Sequence, residues 1–146
     1  MADFDFAHVA QENWIDAIPA AQRGVIQGML DAGKTEQEIA ELWLNRIGPE
    51  LNVGFGAGAS IATYFSNFRD EIDAFVCGDP RYANERGQAA AIWEKQGRNG
   101  LVALVAGCIA TNIGLAAVAL VPIVALFLSL VGKMGVGAYC KTRGKV

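Results

Sequence analysis

Eight consecutive residues, Gly28-Met29-Leu30-Asp31-Ala32-Gly33-Lys34-Thr35, fit the phosphate-loop spacing of Gly, four residues, then Gly-Lys-Ser/Thr, letter for letter. In that chemistry backbone N–H groups wrap the phosphates, the lysine neutralises them, and a strand in front of the loop aims it at the next helix. Here the preceding residues, Ala20 to Gln27, have helical periodicity and no buried-strand run. Gly33 serves as a left-handed helix end and Thr35 as the next helix start, so both are explained without a nucleotide. The expectation is a helix-turn-helix corner that binds no nucleotide. Gly54-Phe55-Gly56-Ala57-Gly58-Ala59 is glycine-rich, but a dinucleotide loop needs glycine at position 59, and no strand precedes it. It reads as a hinge or a close helix crossing.

Other reactive side chains are scattered. The single histidine, His8, offers neither a metal cluster nor an acid–base pair, and it is far from Cys77 in sequence. Cys77, Cys108 and Cys140 are odd in number and too widely spaced for a zinc site. They read as reduced, inert thiols. Asp70, Glu71 and Asp73 lie opposite Phe68, Ile72 and Phe75 on a helical wheel, which makes them a solvated face. No catalytic, cofactor-binding or metal-binding residue is assigned; the expectation is a protein that is not an enzyme and uses no cofactor.

The Gly33 corner, followed by Glu36-Gln37-Glu38-Ile39-Ala40-Glu41-Leu42, resembles the first two helices of DNA-binding helix-turn-helix domains. That resemblance implies a basic third element, yet Asn45 to Ser60 holds one arginine and several glycines. Charge also opposes it. All fifteen acids lie between Asp3 and Glu94, against eight bases up to Gly100, a balance of −7 that repels phosphate. No nucleic-acid partner is expected.

The remaining bases, Lys133, Lys141, Arg143 and Lys145, form an acid-free flank at the other end, and residues 101–132 hold no charge at all. An uncharged run longer than about 18 residues marks a membrane-span candidate, and a basic flank marks its cytoplasmic edge. As one rod the run would extend ~48 Å, beyond the ~30 Å of hydrocarbon, so it is expected to break. Asn112 and Gly114 offer the break, giving one helix near Leu101 to Ile113 and a second from about Leu115 or Pro122 to Ala138.

The residues before it read as short amphipathic helices. Phe6, Val9, Ala10, Trp14, Ala17 and Ile18 recur until Pro19 interrupts. Val25, Ile26, Met29 and Leu30 form a second stripe that ends at Gly33. A third opens on Thr35 and Glu38 in capping-box spacing, carries Ile39, Leu42, Trp43 and Ile47, and ends before Gly48-Pro49. Ile61, Tyr64, Phe65, Phe68, Ile72 and Phe75 run to Gly78. Asp79-Pro80 then starts a helix carrying Tyr82, Ala89, Ile92 and Trp93 toward a turn at Gly97 to Gly100.

The expected fold is all-α: an acidic amphipathic head over residues 1–99, and an apolar helical hairpin or membrane segment with a basic tail over 100–146. The expected partner is a lipid bilayer, met by Leu101, Val105, Ile109, Ile113, Leu120, Pro122, Ile123, Leu126, Phe127 and Leu130. A homo-oligomer, or a protein partner held through the head, is compatible with this. The N-terminus has no basic start followed by an apolar core, which places the head in the cytoplasm at a membrane, the inner one in a bacterium. In outline, amphipathic helices around an apolar hairpin resemble the helical pore-forming and apoptosis-regulating folds, as architecture alone. That likeness implies a latent inserting or pore-forming protein. The alternative is a soluble interaction module whose hairpin is its enclosed core.

Overall fold

Helix ends in this chain are written by local chemistry, and the computed structural model follows most of them. It describes residues 14–51, 61–113 and 117–142. A 3-10 turn, Trp14–Ala17, leads into α1 (Ala20–Asp31) and α2 (Glu36–Leu51). After them come α3 (Ile61–Cys77), a second 3-10 turn (Pro80–Tyr82), α4 (Ala83–Ile113), α5 (Ala117–Met134) and α6 (Val136–Thr142). The fold is all-α, with no strand among the described residues. The stripe from Phe6 to Ala10, residues 143–146 and the glycine stretch 54–58 lie outside them.

The Gly33 corner is the helix-turn-helix that the spacing predicts. Gly33 has φ +90°, its N–H donates to the Leu30 carbonyl, and the Lys34 N–H donates to that of Met29. That pair of bonds is the Schellman closure of a helix. On the far side the Glu38 N–H donates to Thr35 Oγ1 at 3.1 Å while the Thr35 N–H donates to Glu38 Oε1 at 2.9 Å. The reciprocal capping box is complete. Asp79 likewise caps the turn into α4, its Oδ1 accepting from the Arg81 N–H, with Pro80 in the first-turn position.

Three boundaries differ. Trp14–Ala17 is a 3-10 turn, not the end of an α-helical stripe. The α2 helix runs through Gly48 and Pro49 to Leu51 rather than stopping before them. The last long helix stops at Met134, where Gly135 takes φ +87° and turns the chain by 106° into α6; a continuous helix to Ala138 was expected. Pro122 lies inside α5, which runs through it, as one branch of the sequence reading allows. The expected turn after Trp93 is a break inside α4 at Gly97, with φ 66° and ψ −152°. That backbone region is open essentially to glycine alone. Immediately beyond it, a Cβ on Gly100 would lie 2.4 Å from the Gln96 Cβ, so the kink closes tightly on a bare backbone.

The α5 helix is the axis of the molecule. It packs against α4, α2, α1, α6 and the Trp14–Ala17 turn, and the Phe127 ring meets Phe68 of α3 edge-on at 5.3 Å. Leu120, Ile123, Val124, Ala125, Leu126 and Phe127 are wholly buried. Ala125 apart, such side chains each contribute about 1.5–3 kcal/mol when removed from water. Trp14 and Trp93 cover this centre with rings 6.0 Å apart, while Ile26, Ile39, Phe68, Ile72 and Phe75 supply the inward faces of α1, α2 and α3.

Candidate functional site

The informative region is the seam where the acidic helices hold the apolar third. The α4 segment 98–113 buries Leu101, Val105 and Ile109 completely against the core and half-buries Ile113. On α5, Leu120, Ile123, Leu126 and Phe127 are wholly buried, Pro122 is buried and Leu130 is half-buried. The ten residues expected to face lipid are therefore core residues or core neighbours in this conformation. The exposed side of the 98–113 segment is made of small or uncharged residues, Ala103 and Thr111 among them. Among the described residues no single helix is long and apolar enough to cross a membrane; α6 and the last fifteen residues of α5 reach that length and composition only as a bent pair.

Three polar attachments tie this segment to the head, each through a head carboxylate. At the end of α4, Asn112 Nδ2 donates to the Tyr82 hydroxyl, which donates to Glu71 Oε1. Arg81 completes the group with an ion pair to Glu71 Oε2 at 3.1 Å. Burial, and next the hydrogen bond to the Glu71 carboxylate, push the Tyr82 phenol well above its ordinary value. At the end of α5, Lys133 Nζ pairs with Glu36 Oε2 at 2.5 Å. Glu36 is the first residue of α2, where the helix dipole favours negative charge. In α6, the Tyr139 hydroxyl donates to Asp73 Oδ1, and both residues are buried.

The third attachment is also covalent. Cys77 at the end of α3 and Cys140 in α6 form a disulfide, with Cα atoms 5.7 Å apart. This corrects the expectation of three reduced thiols; only Cys108, half-buried, is free. The solvated-face reading of α3 is corrected as well. Asp70 is exposed, but Asp73 is 3% exposed and the Glu71 side chain 12%. The helix has a second packed side, because α6 and the Pro80–Tyr82 turn both lie on it.

Arg86 is a structural residue that sequence reasoning missed. Buried at 2% exposure, its guanidinium donates to the carbonyls of Ala74, Phe75 and Asp79. It satisfies the carbonyl end of α3 beside the disulfide. Of the expected basic flank, Lys133 is engaged by Glu36, Lys141 is exposed, and Arg143 and Lys145 lie outside the described residues. No group of three metal-ligating side chains occurs among the described residues. An open groove of about 450 Å³ follows the exposed side of α4 beside Tyr82, Glu85, Cys108 and Asn112. No protein-family model, curated protein or solved structure matches this chain.

Proposed function

We propose that the chain is a latent membrane-inserting protein, whose amphipathic helices keep an apolar hairpin dry until it is released to a bilayer. The observation that carries this reading is α5, whose only charge is Lys133 in its last turn and which is enclosed by helices of ordinary polarity. A helix apolar on every side belongs either to a large core or to lipid. A chain of 146 residues has little interior to spare for one. The attachments add to the case. They join the segment to the head at its ends, through polar groups that water can replace and, in α6, through the reducible Cys77–Cys140 bond, while its length is held by apolar packing that lipid can replace.

In the released form the hairpin contacts lipid through the residues now in the core, and the acidic head stays on the aqueous side. Cargo, catalysis and cofactor play no part in this reading. Flotation with vesicles of phosphatidylcholine and phosphatidylglycerol, alongside dye leakage, tests it. Weakening an attachment with Glu71→Gln should raise vesicle binding while helical circular dichroism is retained. Loss of fold with no gain in binding contradicts insertion.

A second reading is favoured by the burial of α5 from Pro122 to Leu128 and by the lack, among the described residues, of a single helix both long and apolar enough to span. In it the hairpin is simply the core of a helical interaction module, and lipid never meets it. The same flotation separates the two, since this module stays with the aqueous fraction whatever loosens its head.

A further inference from the structure

We infer that the Cys77–Cys140 disulfide is a redox lock that holds the α5–α6 bend, so that its reduction lets the two helices straighten into one membrane-spanning rod; the spanning part rests on the insertion reading above. The bond joins the last residue of α3 to α6 across 63 residues, so it fixes the element that directly follows the apolar core helix. With the bond closed, α6 is held against α3 and the chain must turn 106° at Gly135. Gly135 at φ +87° adopts the helical region with equal ease, so the bend itself resists nothing.

Straightened, residues 120–142 would form one helix of ~34 Å at 1.5 Å per residue, enough for ~30 Å of hydrocarbon. That bent pair meets the length and apolarity of a span only when its two members are taken together. Lys133 would sit about three-fifths of the way along this rod, ~14 Å from its nearer end at 1.5 Å per residue, so spanning also requires lipid that thins locally around its snorkelling stem. Tyr139 would leave Asp73, a hydrogen bond that opens and closes reversibly, whereas the covalent link does not.

The link is within reach of a reductant. Cys77 is partly exposed, and a cleft of about 200 Å³ lined by Asp73, Ala74, Cys77, Gly78 and Asp79 opens beside it, whereas Cys140 is buried. A dithiol supplies the two electrons. One of its sulfurs, as thiolate, attacks Cys77 Sγ, the Cys77–Cys140 bond breaks, and Cys140 leaves as a thiolate that takes up a proton. The reductant's second thiol then displaces Cys77, which is protonated in turn, and the reductant departs as its own disulfide.

The test uses the full chain with Cys108→Ala, oxidised or reduced with dithiothreitol, read in two ways. Amide exchange over residues 136–142 in water reports release of α6. Flotation with phosphatidylcholine–phosphatidylglycerol vesicles, followed by protease digestion of the floated fraction to find a protected 120–142 segment, reports spanning. Reduction is expected to raise both about tenfold, as when a minor open state becomes a major one, with helical circular dichroism kept; an added Cys140→Ser should do the same without reductant. Faster exchange with no vesicle binding supports the lock and overturns the insertion reading. Vesicle binding that is substantial and equal in oxidised and reduced chains overturns the lock and leaves insertion standing. Unchanged exchange, or outright unfolding on reduction, overturns the lock.

Discussion

Tyr139 donates its hydroxyl hydrogen to Asp73 Oδ1 across 66 residues, and both partners are shut away from water. One is on the terminal helix and the other on the face of α3 that its apolar periodicity assigns to solvent. The bond therefore reports how closely the last helix is docked. Tyr139→Phe removes the donor but keeps the ring, and should cost about 1–3 kcal/mol because a buried carboxylate loses a partner. Urea denaturation measures it. In a double-mutant cycle with Asp73→Asn the two changes should couple by about 0.5–3 kcal/mol, whereas independent effects would mean that the residues do not share an interaction.

Gly97→Ala should destabilise the fold by about 1–3 kcal/mol, since alanine has no relaxed conformation at φ 66°, ψ −152°. Thermal melting checks this against Gly87→Ala in the same helix, where a Cβ meets nothing within 4 Å and helix propensity favours alanine.

The Glu38 carboxyl is held below its ordinary value, first by the Thr35 backbone N–H and then by the Thr35 hydroxyl. Its stabilising contribution is therefore present above the usual carboxylate range and is lost as pH falls through the depressed folded value. Thr35→Ala should cost about 1 kcal/mol at neutral pH and shrink the acid-side loss of stability relative to wild type. Denaturation midpoints measured across the acidic range would show the two curves converging.

Tyr82 has the opposite sign. Its phenol is raised by burial and by the Glu71 hydrogen bond, so the folded chain holds the proton longer than the unfolded one. That contribution is complete below pH ~10, the ordinary tyrosine value, and disappears as pH climbs above it. Tyr82→Phe should flatten the alkaline limb of the stability profile, and ultraviolet titration of the tyrosinate band should lose one component that ionises above the ordinary tyrosine range.

The sequence already marks the corners of this fold because glycine, threonine and an Asp-Pro pair act on their immediate neighbours. Gly33, Thr35, Gly78, Asp79 and Gly97 all sit where a helix ends, begins or breaks. The apolar stripe Phe68, Ile72 and Phe75 is buried as its spacing requires. Glu71 and Asp73 escaped because a helical wheel allows one buried face, and α3 has two packed sides. The Cys77–Cys140 pair escaped because two cysteines 63 residues apart carry no spacing signal. Arg86 is buried by a carbonyl cluster that exists only once α3 has ended at Gly78.

Amide exchange of the full chain, oxidised and then reduced, with and without phosphatidylcholine–phosphatidylglycerol vesicles, bears most directly on whether the core hairpin is also a membrane hairpin. In water α5 should exchange slowest of all. With vesicles and a dithiol, residues 20–44 should lose protection while 120–134 keep theirs, because the head opens as the hairpin passes from protein to lipid. An α5 that is unprotected in water contradicts the enclosed core. Protection that vesicles leave unchanged in both segments, after reduction, contradicts insertion.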